Sequence, residues 1–149
     1  MSNTALYNIA LTLVHGLGYI GAKRLLSYCG SAEEIFKSKK SLLLNIPEIR
    51  ERSIEQLHDP AVLVRAEKEL KFVEKSKIKL LFYSDDAYPR RLRHCADSPL
   101  LLYFKGETNF NAEKVIAIVG TRDATDYGKH MTQNLVADMA AYQVSVISG

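Results

Sequence analysis

The feature that most constrains this chain is Val115-Ile116-Ala117-Ile118-Val119, a run of five apolar residues closed by Gly120. Four of the five, all but Ala117, are β-branched, and such a run suits a strand buried on both faces, as in a parallel sheet. A parallel neighbour needs a crossover, and the sequence supplies one. Residues 127–142 repeat apolar side chains at Tyr127, Met131, Leu135 and Met139, with Val136 and Ala140 beside them, which is helical spacing. Val144–Ile147 then reads as the next strand. Residues 115–147 are therefore expected to form one βαβ unit.

Upstream, apolar runs of strand length occur at Lys79–Tyr83 and Leu100–Phe104, the first followed by a Ser84-Asp85-Asp86 turn and the second ended by Lys105-Gly106. Asp59-Pro60 opens a helix, with Asp as the cap and Pro at the first helical position. Its apolar stripe is Leu63, Ala66, Leu70 and Val73. Before residue 59 the pattern is wholly helical. The expected fold class is α/β: an all-α domain over 1–58, then over 59–149 the first part of a Rossmann-like parallel sheet. Ser148-Gly149 falls where the next helix of such a sheet should start, so a fragment of a longer protein is expected.

Composition excludes several classes. The chain has 149 residues, 47% apolar and 25% charged, which is ordinary for a globular domain. Met1-Ser2-Asn3-Thr4 offers no basic segment before an apolar core, so no signal peptide is expected. No apolar run approaches the length of a membrane span. Cys29 and Cys95 make no disulfide framework, and a cytoplasmic setting is the default. The net charge of +3 divides as +2 over 1–58, +1 over 59–113 and zero over 114–149. A nucleic-acid site must then be a local cluster.

The first candidate cluster is Gly16-Leu17-Gly18, between helical patterns at Ala5–Val14 and Ile20–Tyr28. Glycines permit a tight hairpin, and amides at the start of the second helix can hold a phosphate. Lys23 and Arg24 follow as basic contacts. This is the logic of a helix–hairpin–helix, and a DNA contact and a purely packing hairpin both fit it. A degenerate copy, Ile46-Pro47-Glu48-Ile49-Arg50, lies 32 positions on, with Glu48 and Arg50 replacing both glycines. The copy is expected to keep the packing and lose any phosphate site. Between the two, Gly30 ends a helix and Ser31 caps the next, with Glu34 completing a capping box. Residues 1–58 thus read as a tandem helix–hairpin–helix or SAM-like domain.

The second candidate is Gly120-Thr121-Arg122 at the end of the apolar strand. Ligands of open α/β sheets sit at the carboxyl ends of strands. Gly120 allows close backbone approach, Thr121 offers a hydroxyl and Arg122 a guanidinium fork for phosphate. Lys129 stands one turn into the following helix. The spacing is neither the dinucleotide fingerprint nor a Walker A loop. Arg90, Arg91, Arg93 and His94 form a further basic cluster, expected to be a solvated loop paired to Asp85 and Asp86. Tyr88-Pro89 is expected to anchor a turn. His15, His58, His94 and His130 have no metal-ligand spacing, and no catalytic motif stands out, so no metal, cofactor or catalytic residue is assigned.

Four segments in fixed order carry a resemblance: Tyr88-Pro89-Arg90-Arg91-Leu92; Asp97-Ser98-Pro99 through Lys105-Gly106; Val115–Arg122; and Val144–Gly149. Together they resemble the bacterial DNA-processing protein A family (DprA, also called Smf). The resemblance implies a Rossmann-like domain that binds single-stranded DNA and helps load the RecA recombinase during natural transformation. It implies that Gly120, Thr121 and Arg122 contact a DNA phosphate, that the full-length protein is a homodimer, and that it is not an enzyme or membrane protein. It also implies a continuing sheet and often a winged-helix domain beyond Gly149. Two other readings stand beside it. One is a Rossmann-like nucleotide-binding enzyme of the phosphoribohydrolase type, which needs a downstream Gly-Gly phosphate motif. The other is an inert scaffold.

Overall fold

The computed structural model describes residues 3–148; Gly149, expected to turn out of the last strand, lies outside them. Eight helices and four strands are present among the described residues, so the chain is mixed α/β. They separate into two compact units at Thr108/Asn109.

The first unit opens with α1 (Asn3–Leu13) and α2 (Gly18–Cys29), joined by the hairpin at 14–17. Gly16 and Gly18 have φ of +78° and +66°, the left-handed region that a Cβ disfavours. α3 (Ala32–Lys37) starts as its sequence dictates, with the Glu34 amide donating to Ser31 Oγ at 3.2 Å. α4 (Lys40–Leu43) and α5 (Glu51–Leu57) flank the second hairpin. Glu48 stands there at φ +61°, so the copy keeps the left-handed turn of Gly16 without the glycine. Val14 and its counterpart Ile46 are both buried.

α6 (Pro60–Lys75) is capped by Asp59, whose Oδ1 accepts from the Ala61 amide at 2.9 Å. It buries Val62, Ala66, Leu70 and Val73, and packs along α1. β1 (Lys79–Phe82) pairs with β2 (Leu101–Phe104) in antiparallel register, Leu80 opposite Tyr103 and Phe82 opposite Leu101. The short helix α7 (Arg90–Arg93) lies in the connection between them.

Two expectations change here. The 58/59 boundary falls inside one hydrophobic core, because Ala66, Leu70, Phe82, Leu100 and Leu101 cluster with Ile9, Leu25, Ile35 and Leu57. The stripe of α6 must be buried, and α1 is the apolar surface it covers. Likewise β1 and β2 are not strands of the parallel sheet. They form their own antiparallel pair, closed over the 83–100 loop by Tyr88, which is fully buried with its hydroxyl donating to Pro99 O at 2.5 Å. The expected turn anchor is therefore present.

The second unit holds β3 (Val115–Ile118), α8 (Asp126–Ala140) and β4 (Ser145–Ser148). β3 and β4 pair in parallel, Ile116 beside Val146 and Ala117 beside Ile147, so the βαβ unit forms as the sequence implies. Its burial departs from expectation. β3 is not covered on both faces, and the apolar line of α8 is exposed at Tyr127, Met131 and Leu135. Two strands and one helix supply too few neighbours to bury either surface.

Candidate nucleic-acid interface

The end of β3 and the start of α8 face one open cavity of about 600 Å³. Gly120, Thr121, Thr125, Gly128, Lys129 and Thr132 line it. Thr125 is the N-cap of α8, its Oγ1 accepting from the Gly128 amide at 3.1 Å. A threonine at this place satisfies one of the free amides of the first turn, and the helix dipole leaves a modest positive potential there. The sequence reading missed Thr125 and Thr132. Thr125 was legible, since a threonine immediately before a helical pattern is a start signal.

The four residues expected to hold phosphate differ in readiness. Gly120 has nothing within 4 Å of where a Cβ would sit, and its φ is not in the left-handed region. Neither packing nor backbone geometry requires a glycine there. The Thr121 hydroxyl donates to Asp123 O at 3.2 Å and must release that bond to donate to a phosphate. Lys129 Nζ pairs with Asp126 Oδ1 at 3.3 Å across one helical turn, an exposed pair of little strength. Arg122 is exposed and makes no hydrogen bond or ion pair among the described residues, so its guanidinium is available in full.

The residues of the first hairpin sit in the other unit. Lys23, expected as a DNA contact, turns inward. Its ammonium donates to Ser98 Oγ at 2.6 Å and Ala96 O at 2.9 Å, and lies 4.6 Å from the centre of the Tyr83 ring. Arg24 donates to Pro47 O at 3.0 Å and pairs with Glu48 at 2.5 Å, tying the first hairpin to the second. The backbone amide of His15 is taken by Gln56 Oε1 at 3.0 Å. Gly18 faces open space.

The 90–94 cluster is only partly the solvated loop expected. The Arg93 guanidinium donates to Asp85 O and stacks 5.6 Å from the Tyr88 ring and 5.8 Å from that of Tyr83. Burial raises the Tyr88 phenol above its ordinary range, against the opposing effect of its Ser98 hydrogen bond. Burial also raises Tyr103, with the Glu69 carboxylate adding to it. Among the described residues, no helix is long and apolar enough to cross a membrane.

Residues 79–149 match the family model described as DNA recombination-mediator protein A. A Mycobacterium tuberculosis protein that carries the name DprA, for DNA processing, is 34% identical over 98 residues, covering 57% of this chain and 25% of that protein. A Synechocystis protein named Smf is 24% identical over 147 residues, covering 96% of this chain and 37% of that protein. The chain thus spans well under half the length of these curated relatives. The matched segment contains the antiparallel pair, the Tyr88 anchor and the Gly120–Arg122 loop, and over that segment the chain is similar to the DprA/Smf family.

Proposed function

We propose that the Gly120–Arg122 loop binds a phosphate of single-stranded DNA, as part of a recombination mediator of the DprA type. The observation that carries this reading is Arg122: a guanidinium without an internal partner, beside a glycine that the fold does not need, at the carboxyl end of a parallel strand. Such a fork suits a phosphate, which accepts two hydrogen bonds from it. Gly120 lets the DNA backbone close in. Thr121 and Lys129 contribute after giving up their bonds to Asp123 and Asp126.

Contact through phosphate carries no sequence information, so the binding is sequence-independent and salt-sensitive. The role is binding rather than catalysis. The second unit is proposed to belong to the opening part of a Rossmann-like sheet, and residues 1–58 to form a tandem helix–hairpin–helix of the SAM-like kind. The likeness to the family extends the proposal to RecA loading in natural transformation, to a homodimer of the whole protein and to a cytoplasmic location.

Fluorescence anisotropy with labelled oligo-dT, comparing the chain with its Arg122→Ala variant, tests the reading. Weaker binding by the variant supports it, and superimposable titrations reject it.

A further inference from the structure

The two hairpins of the first unit enclose a second cleft, of about 260 Å³. It is separate from the Gly120–Arg122 loop, and the argument for it stands whether or not that loop binds DNA. Gly21 lies in its wall, where a Cβ would come within 3.2 Å of Leu17 Cδ1 and 3.6 Å of Ile49 Cδ1. The walls close to this separation because position 21 carries only hydrogen. Three polar side chains besides Glu48 face the space: Ser53, Arg50 and Arg24.

Ser53 is the informative one. The residue is only 2% exposed, and its hydroxyl makes no hydrogen bond among the described residues yet is not one of the atoms shut off from solvent, so it opens into the cleft. The hydroxyl lies 3.6 Å from where a Gly16 Cβ would sit, at the back of the cleft. Arg50 is exposed at the mouth and forms no ion pair among the described residues. Arg24 is held in place from one side by Glu48 and Pro47 O. Two guanidiniums against one carboxylate leave the cleft net positive, and α2 adds the positive end of its dipole.

We propose that this cleft binds one phosphate group, donated to by the Ser53 hydroxyl, the Arg50 guanidinium and the edge of Arg24 turned away from Glu48. Donors on several sides suit a tetrahedral anion better than a flat carboxylate. Two guanidiniums exclude a metal cation. The second hairpin, which replaced its glycines, thus supplies side-chain donors where the first supplies backbone. The same chemistry is offered by inorganic phosphate or a monoester and by the diester of a nucleic acid.

The test is an amide chemical-shift titration of the whole ¹⁵N-labelled chain. One arm uses inorganic phosphate, a second a thymidine dinucleotide with a single diester, and chloride at matched ionic strength is the control. Saturable shifts at residues 16–21 and 48–53 are expected with at least one ligand, and the arm that saturates first identifies the source. Ser53→Ala and Arg50→Gln should each weaken this response about tenfold, the effect of losing one donor to a charged group. Ser53→Ala removes an unpartnered hydroxyl and so should fold as the parent does. Shifts that chloride reproduces, or that both variants leave unchanged, overturn the proposal. Arg122→Ala separates it from the DNA reading: the hairpin response should survive that change. A response confined to residues 119–129 would retain the DNA reading and discard this one.

Discussion

Lys23 gives the most direct check on how the first unit is held together. Its stem leaves α2 and its ammonium reaches the 95–98 loop, where Ser98 is 1% exposed. In Lys23→Met the stem and its packing are retained and the charge is lost. The buried Ser98 hydroxyl then loses the bond from Lys23, which costs about 1–2 kcal/mol. Loss of the ammonium from the Tyr83 face costs a further ~0.5–1 kcal/mol. The Ala96 carbonyl is at the surface and turns to water, adding little. The expected destabilisation is therefore about 1.5–3 kcal/mol, or on the order of 10 °C in Tm for a unit of this size. The chain has no tryptophan and eight tyrosines, so urea unfolding is followed by tyrosine fluorescence, to which Tyr83 reports directly. A double-mutant cycle with Ser98→Ala should show coupling of about 1 kcal/mol. A loss below about 0.5 kcal/mol, with no coupling, would refute the reasoning and free Lys23 for a DNA contact.

The other predictions follow from single features. Gly120→Ala should leave Tm unchanged, since nothing in the fold meets its Cβ, while weakening oligo-dT binding; unchanged binding would mean the glycine has no ligand to admit. Gly18→Ala places a Cβ at φ +66° and should destabilise the first unit by about 1–2 kcal/mol in a denaturant titration. Asp59→Ala removes the cap of α6 and should cost about 1 kcal/mol by the same measurement. Tyr88 holds its proton more tightly folded than unfolded. Its contribution to stability is thus complete below the ordinary tyrosine range near pH 10 and is lost as pH rises through that range. Tyr88→Phe should flatten the alkaline fall in stability, whereas an unchanged fall would place the effect elsewhere.

Local structure was legible where a short-range signal fixed it. Asp59-Pro60, Ser31 with Glu34, and the glycines of the first hairpin each specify a backbone conformation through groups a few residues apart. The βαβ unit was legible because the apolar run, the helical period and the second strand follow one another in sequence. Partners far apart in the chain were not legible. The spacing of Leu63, Ala66, Leu70 and Val73 predicts an apolar stripe but cannot say that α1 covers it. Strand length at 79–83 and 100–104 does not distinguish a place in the parallel sheet from an antiparallel pair. Lys23 illustrates the same limit at a site: a basic residue just after a glycine hairpin suits a phosphate by composition, and only the fold brings Ser98, 75 positions away, beneath its ammonium. Glu48 ran the other way. The loss of both glycines suggested that only the packing was kept, yet the backbone also keeps the left-handed turn, with φ at +61°.

The central claim is that Arg122 meets a DNA phosphate. Its most direct test is oligo-dT anisotropy at low and then moderate salt, with the chain and with Arg122→Ala side by side. The account predicts salt-sensitive binding, weakened in the variant by about 1–3 kcal/mol, with Tm unchanged. Equal affinity of the two chains, or the absence of binding at low salt, would contradict it.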